Sequence, residues 1–258
     1  MVSLALIRTI VGIVGNIISL GLFLSPMPTF ITIFKRKDVE QFSAFPYLAT
    51  LLNCLLWCLY GLPIVHPDST LVLTINGAGV VIELCYIIIY TIYSPAKQKL
   101  RAILVVIFEI AIVAILGALI ITLVHNENLR SRIIGIICII FCIIMYVAPL
   151  AAMVRMYLIR LHSYIADIEQ LRASSTCLSI YQSFLNGTCW TIYSLLKFDI
   201  NILVPNGIGL VFAIGQLILY AMYYKSTQRI LEARKKGGEV DLTNVVVRGD
   251  PNRVGNAA

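Results

Sequence analysis

The chain has 258 residues, 59% of them hydrophobic and 13% charged, with a mean hydropathy of +0.90. Soluble domains run at roughly 45–50% apolar and about 25% charged, so this balance excludes a soluble globular domain, and the net charge of +7 does not make a nucleic-acid binder of so apolar a chain. At about 20 residues per spanning helix the apolar content supplies up to seven spans, and the segments lack the apolar–polar alternation of outer-membrane strands.

Seven apolar runs follow in chain order, over residues 7–33, 46–64, 70–93, 102–124, 133–154, 177–196 and 202–224. The first is too long for a signal peptide. It has only Arg8 in front, and it leads into Ser25-Pro26-Met27-Pro28 rather than a small-residue cleavage site. The sixth is the weakest, diluted by Ser179, Gln182, Ser183, Asn186 and Thr188. Beyond Lys225 the sequence turns polar, with Gly237-Gly238 and Asp250-Pro251, and reads as a disordered tail over 225–258. The seven cysteines all lie in apolar runs and none forms a CxxC pair. They read as small packing residues and leave the compartment open.

Lys and Arg divide unevenly between the two sides. One side carries Lys35, Arg36, Lys37, Lys97, Lys99, Arg101, Arg155, Arg160, Arg172 and seven residues of the tail; the other carries Arg8, Arg130, Arg132 and Lys197. The positive-inside rule then predicts an outside N-terminus and a cytoplasmic C-terminus. The basic excess is topogenic and favours anionic membrane lipid.

The runs repeat. Leu52-Asn53-x3-Trp57-x2-Tyr60 in the second returns as Leu185-Asn186-x3-Trp190-x2-Tyr193 in the sixth. Asn76-Gly77-x-Gly79 in the third returns as Asn206-Gly207-x-Gly209 in the seventh, followed at equal distance by Tyr90 and Tyr220. Ser25-Pro26 and Ala148-Pro149 mark the first and fifth. Spans 1–3 therefore match spans 5–7, and span 4 is unpaired. One extra crossing between two odd-numbered units restores their orientation, so the repeats are parallel. The predicted fold is an all-α integral membrane protein of seven transmembrane helices. It divides into a first three-helix repeat over 1–95, a linker helix over 96–130, and a second repeat over 131–224.

Polar side chains inside a span face the bundle interior or a cavity. At about 1.5 Å per residue, Trp57, Asn76, Trp190 and Asn206 lie about 6–10 Å below the outer ends of their helices. A flat indole suits the C–H face of a pyranose, and an amide both donates to and accepts from adjacent hydroxyls. The residues alone also admit a plainer role, Trp as an interfacial anchor and Asn as helix glue. Pro26, Pro46 and Pro149 sit toward the cytoplasmic ends, where a proline either kinks a helix or ends one. Glu83 and Glu109 are the acids well inside spans. Glu83 shares the helix face of Asn76; a structural hydrogen bond and a proton site are its two readings. Spans holding no paired aspartates, Ser/His pair or metal cluster, with His66, His125 and His162 all in loops, predict neither an enzyme nor a cofactor.

In these motifs the chain resembles the SWEET family of plant sugar transporters, a family of parallel-repeat carriers. The resemblance is carried by Gly15-Asn16-Ile17-Ile18-Ser19, Ser25-Pro26-Met27-Pro28-Thr29-Phe30, Thr74-Ile75-Asn76-Gly77, Ser183-Phe184-Leu185-Asn186-Gly187 and Val204-Pro205-Asn206-Gly207. It implies facilitative, bidirectional sugar transport by alternating access. It implies a central sugar site of Asn76, Asn206, Trp57, Trp190, Asn53 and Asn186, with Cys54 a weaker candidate. It further implies an outer gate of Tyr60 and Asp199, and an inner gate of four prolines to which Pro26, Pro46 and Pro149 correspond. Leu51-Leu52-Asn53-Cys54 and Val65-His66-Pro67 resemble the hexose-preferring members, and two bulky indoles suit a monosaccharide. The plasma membrane is the expected location, with the vacuolar membrane as the alternative. Assembly with itself or with related carriers is left open. The rivals are a proton-coupled sugar carrier and a seven-helix receptor; the internal repeat argues against the second.

One stretch departs from the family. Pro26 and Asn53 are 27 positions apart, whereas Pro149 and Asn186 are 37 apart. The segment 158–176 lacks both the fourth proline and a turn like Lys37-Asp38-Val39-Glu40. Its residues 163–172 read as a short interfacial helix or as the product of a misplaced exon boundary. A missing kink predicts slowed opening at the inner gate.

Overall fold

The computed structural model describes residues 3–39, 42–160, 167–218 and 221, with side chains left undescribed over 146–179. Every regular element among the described residues is a helix. They are α1 (Leu4–Leu24), α2 (Met27–Arg36), α3 (Phe45–Gly61), α4 (Thr70–Tyr93), α5 (Ala96–Leu123), α6 (Glu127–Arg160) and α7 (Asp167–Leu195), followed by α8 (Ile200–Ile218). Helices α1 and α2 together form the first span, broken at Ser25-Pro26. The break has a local cause. Pro26 has no N–H to continue α1, and its carbonyl instead accepts from Thr29 at 2.9 Å to start α2.

Five segments are long and apolar enough to cross a membrane: Leu4–Arg36, Thr70–Tyr93, Ala96–Leu123, Glu127–Met145 and Ile200–Ile218. The helix Phe45–Gly61 is apolar but only 17 residues long. Large apolar side chains face outward along these helices, for example Ile10, Ile13 and Ile17 on α1 and Leu104, Ile107 and Phe108 on α5. That is the surface a bilayer covers.

The inward faces are set by small residues. Gly12, Gly15 and Ser19 are the buried residues of α1. A Cβ on Gly12 would lie 2.9 Å from the Tyr193 ring, so α1 meets α7 closely only because that position has no side chain. Gly61 does the same between α3 and α4, where a Cβ would stand 2.9 Å from the Leu73 backbone nitrogen.

Two apolar cores result. One joins both halves of the chain through Trp57, Tyr60, Val72, Ile75, Ile134, Trp190, Tyr193 and Ile202. It closes the end of the bundle that carries the α3–α4 and α7–α8 loops. The other, nearer the opposite end, belongs to α2, α3, α4 and the start of α5. There Phe30 stacks on Tyr86 with ring centroids 4.3 Å apart, and the two halves share no such core among the described residues.

Two sequence expectations shift. Pro46 lies at the first turn of α3, where a missing N–H costs nothing, so it starts that helix and kinks nothing. Pro149 falls within α6, and its side chain lies outside the described residues. A separate interfacial helix over 163–172 is not what the described residues form. Residues 161–166 lie outside them, and from Asp167 the chain is already part of α7. Of the segment 158–176, which lacks the fourth proline, 158–160 belong to α6 and 167–176 to α7, while 161–166 and the tail 225–258 lie outside the described residues.

Candidate functional site

Between the two sets of helices lies a cavity of about 910 Å³. Asn53, Trp57, Asn76, Asn186, Trp190 and Asn206 all line it, brought in from α3, α4, α7 and α8. Part of the polar dilution of the sixth run is thereby explained: Ser183 and Asn186 of α7 belong to the wall.

The two asparagines of the repeated Asn-Gly motif adopt the same pose. Asn76 Nδ2 donates to the Val72 carbonyl and Asn206 Nδ2 to the Ile202 carbonyl, each at 2.8 Å and each four residues back on its own helix. Neither amide reaches across to a neighbouring helix, so neither acts as helix glue through that bond. Back-bonding fixes each amide plane and leaves Oδ1 and the second N–H for the cavity. The tryptophans are also paired. Trp57 meets Tyr60 edge-on at 5.4 Å, and Trp190 meets Tyr193 at 5.2 Å. Both indoles are 6% exposed, which is a buried position rather than an interfacial one.

Each indole N–H has a partner on the other half of the chain. Trp57 Nε1 donates to Cys142 Sγ on α6 at 3.2 Å, and Trp190 Nε1 donates to Ser19 Oγ on α1 at 3.1 Å. Cys54 does not line the cavity. Its thiol is fully buried against Gly79, so Cys142 is the cysteine of the cavity wall.

The closed end is a hydrogen-bonded latch. Tyr60 OH lies 3.0 Å from both Asp199 carboxylate oxygens and donates to them. His66 Nε2 is 3.1 Å from Asp199 Oδ2, and the imidazole stacks on Tyr60 at 4.8 Å. Its Nδ1 meets Ser131 Oγ at 2.7 Å. Asn201 N donates to Asp199 Oδ1 at 3.0 Å, and Asn201 Nδ2 donates to Tyr60 OH at 3.3 Å. Asp199 thus caps α8 while tying it to α3. Beside this, Arg8 covers the Tyr193 ring at 4.1 Å, and Lys197 pairs with Asp68 at 2.6 Å. The cavity runs away from the latch past Asn53 and Asn186 to Pro28, Thr29 and Gln216. The arrangement is therefore closed at the latch end and open at the other, with Pro26 at the break beside the open mouth.

Burial pushes the Asp199 carboxyl up. Hydrogen bonds from His66, Tyr60 and the Ile202 amide, together with the charge of His66, outweigh burial and hold it below its ordinary value. A depressed carboxyl stabilises the fold above its unfolded pKa, and that contribution is lost only as pH falls through the lower folded value. The carboxylate therefore stays ionised across about pH 5–8. His66→Gln removes the hydrogen bond and the charge that offset burial, so the acid loss of transport should begin at a higher pH in that variant than in the unaltered chain; identical acid limits would mean that His66 does not hold the carboxyl down.

Glu83 and Glu109 are buried, and the Oε2 atom of each has no hydrogen-bond partner among the described residues. Neither lines the cavity, so the shared helix face does not bring Glu83 to the site. Sequence reasoning missed Ser19, Cys142, His66, Ser131 and Asn201. The repeat carried a signal for the first two: the offset of 123 between Ser25-Pro26 and Ala148-Pro149 also relates Ser19 to Cys142.

Comparison with known proteins converges. The family model described as "Sugar efflux transporter for intercellular exchange" matches residues 9–98 and again residues 132–228. The bidirectional sugar transporter SWEET4 of Oryza sativa subsp. indica is 48% identical over 260 residues, spanning 100% of this chain and 96% of that protein. SWEET7 of Arabidopsis thaliana, also named a bidirectional sugar transporter, is 46% identical over 98% of this chain and 95% of its own length. The solved structure of a eukaryotic SWEET transporter superposes with a TM-score of 0.74 at 34% identity, covering 84% of this chain and 97% of that one.

Proposed function

This chain belongs to the SWEET family of bidirectional sugar transporters, and we propose that within that family it carries a hexose through the cavity between its two three-helix repeats. Transport is facilitative: the sugar moves down its own gradient, in either direction. The observation that carries the site is the duplicated pair of back-bonded asparagines facing one cavity from α4 and α8, each with a buried tryptophan of its own repeat. Two indole faces offer apolar area to a ring's C–H face, and two amides meet its hydroxyls, which suits a neutral polyhydroxylated ligand. A panel of radiolabelled sugars offered to cells lacking their own hexose carriers tests the substrate class. Glucose-type hexoses should enter and sucrose should not; efficient sucrose uptake would overturn the hexose assignment.

The repeats are taken as residues 1–95 and 131–224, with 96–130 as the linker. The support is the twofold match of one family model and the packing of α5 on α3 and α4. The latch is the outer gate and the open mouth faces the cytoplasm, at the plasma membrane. The excess of Lys and Arg at the open-mouth end and in the tail supports this orientation and suits contact with anionic lipid. An epitope after residue 258 should be silent in intact cells and appear on permeabilisation. Labelling before permeabilisation would invert the topology.

A further inference from the structure

The cavity wall contains two hydrogen-bonded chains that cross between the halves of the molecule. In one, Trp57 Nε1 donates to Cys142 Sγ at 3.2 Å, and that thiol donates to Asn53 Oδ1 at 3.4 Å. In the other, Trp190 Nε1 donates to Ser19 Oγ at 3.1 Å, and that hydroxyl lies 2.5 Å from Asn186 Oδ1, with Gly15 O at 2.8 Å as a second acceptor for its single proton. The tryptophan and asparagine of each chain stand one helical turn apart, so one polar atom reaches both. That atom always comes from the other half: α6 serves α3, and α1 serves α7.

The repetition is not a coincidence of composition. Asn53 and Trp57 are related to Asn186 and Trp190 by an offset of 133 residues, whereas Ser19 and Cys142 are related by 123. Two different offsets meet in the same three-membered arrangement twice. Both relay residues are buried at the level where the repeats face each other.

We infer that Ser19 and Cys142 are a matched pair of positioning residues, each reaching across from one repeat to hold the tryptophan and asparagine of the other in the pose that receives sugar. This rests on the cavity being the sugar site. The pair is unequal. A hydroxyl is a good donor and acceptor, and a thiol is weak at both, so the half-site of Trp57 and Asn53 is held more loosely than that of Trp190 and Asn186. Replacing the serine should therefore disturb binding more than replacing the cysteine, and a hydroxyl in place of the thiol should tighten it. Because each relay orients groups rather than driving the rocking of the bundles, the effects fall on the half-saturation concentration.

The chain has two tryptophans, which gives a direct readout. In purified Trp190→Phe protein, Trp57 is the sole emitter, and a thiol in contact with an excited indole quenches it. Adding Cys142→Ser should raise Trp57 emission without any sugar present, and Cys142→Ala should do the same. In transport, with Trp190 restored, Ser19→Ala should raise the half-saturation concentration about tenfold and Cys142→Ala about threefold, while Cys142→Ser lowers it about twofold, as expected for single hydrogen bonds of unequal strength. Maximal rates should hold within about twofold. Unchanged Trp57 emission in both cysteine variants, or losses of maximal rate at constant half-saturation, would overturn the positioning role. Should the emission change appear while Asn76→Ala and Asn206→Ala transport normally, the relay stands and the cavity is not the sugar site.

Discussion

Alanine at Asn76 or Asn206 is expected to abolish sugar uptake while leaving the amount of protein in the membrane unchanged. Each amide is pinned by a 2.8 Å bond to the carbonyl one turn back on its own helix, so its free oxygen and second N–H are held in place before sugar arrives. Truncation removes that pair and leaves a sugar hydroxyl without a partner at the tryptophan-lined level of the cavity. A polar group left unsatisfied there costs about 1–3 kcal/mol, which is about 5- to 160-fold in affinity at 1.36 kcal/mol per tenfold. The helices should survive, because the lost bond is within one helix and alanine is the better helix former. Trp57→Ala and Trp190→Ala should act alike. They remove the stacking face and an aromatic contact worth about 0.5–1.5 kcal/mol with Tyr60 or Tyr193. Wild-type uptake in either asparagine variant at equal surface expression would remove that residue from the site.

Asp199→Ala is expected to be as damaging by a different route. The carboxylate accepts from Tyr60, His66 and the Asn201 backbone in one buried cluster. Bonds to a charged acceptor are worth about 1.5–3 kcal/mol each. Losing even two of them shifts the equilibrium between latched and unlatched forms by more than a hundredfold at 1.36 kcal/mol per tenfold. A carrier that cannot latch does not complete its cycle, so net uptake should fall at least tenfold by that same conversion. Tyr60→Phe removes one of the three donors and should cost less, leaving His66 and the backbone amide in place. Uptake measured against surface expression decides it. Equal losses in the two variants would mean that Tyr60, and not the carboxylate, holds the latch.

Much of this was legible in the sequence because duplication writes the same geometry twice. Trp57 with Asn53 and Trp190 with Asn186, each pair one turn apart, already put an indole and an amide on one helix face, and the shared depth of Asn76 and Asn206 pointed to one level in the membrane. The relay residues were hidden because a serine and a cysteine, each inside an apolar run, read as packing. Their role depends on which helix faces which, and periodicity carries no such information. His66 was hidden for a related reason: a loop sequence does not say that its imidazole folds back over Tyr60. The role of Pro46 stayed open in the sequence because a proline at the first turn of a helix and one that kinks it are the same letter. Only the observed start of α3 at Phe45 separates them.

Counterflow in reconstituted liposomes tests the central claim most directly. Purified protein is sealed into vesicles preloaded with unlabelled glucose, then diluted into labelled glucose with no ion gradient and a protonophore present. A facilitative carrier with one alternately exposed site must show transient accumulation of label above the outside concentration, and Asn76→Ala must abolish it. Accumulation that vanishes with the protonophore, or simple equilibration without an overshoot, would contradict passive alternating access through this cavity.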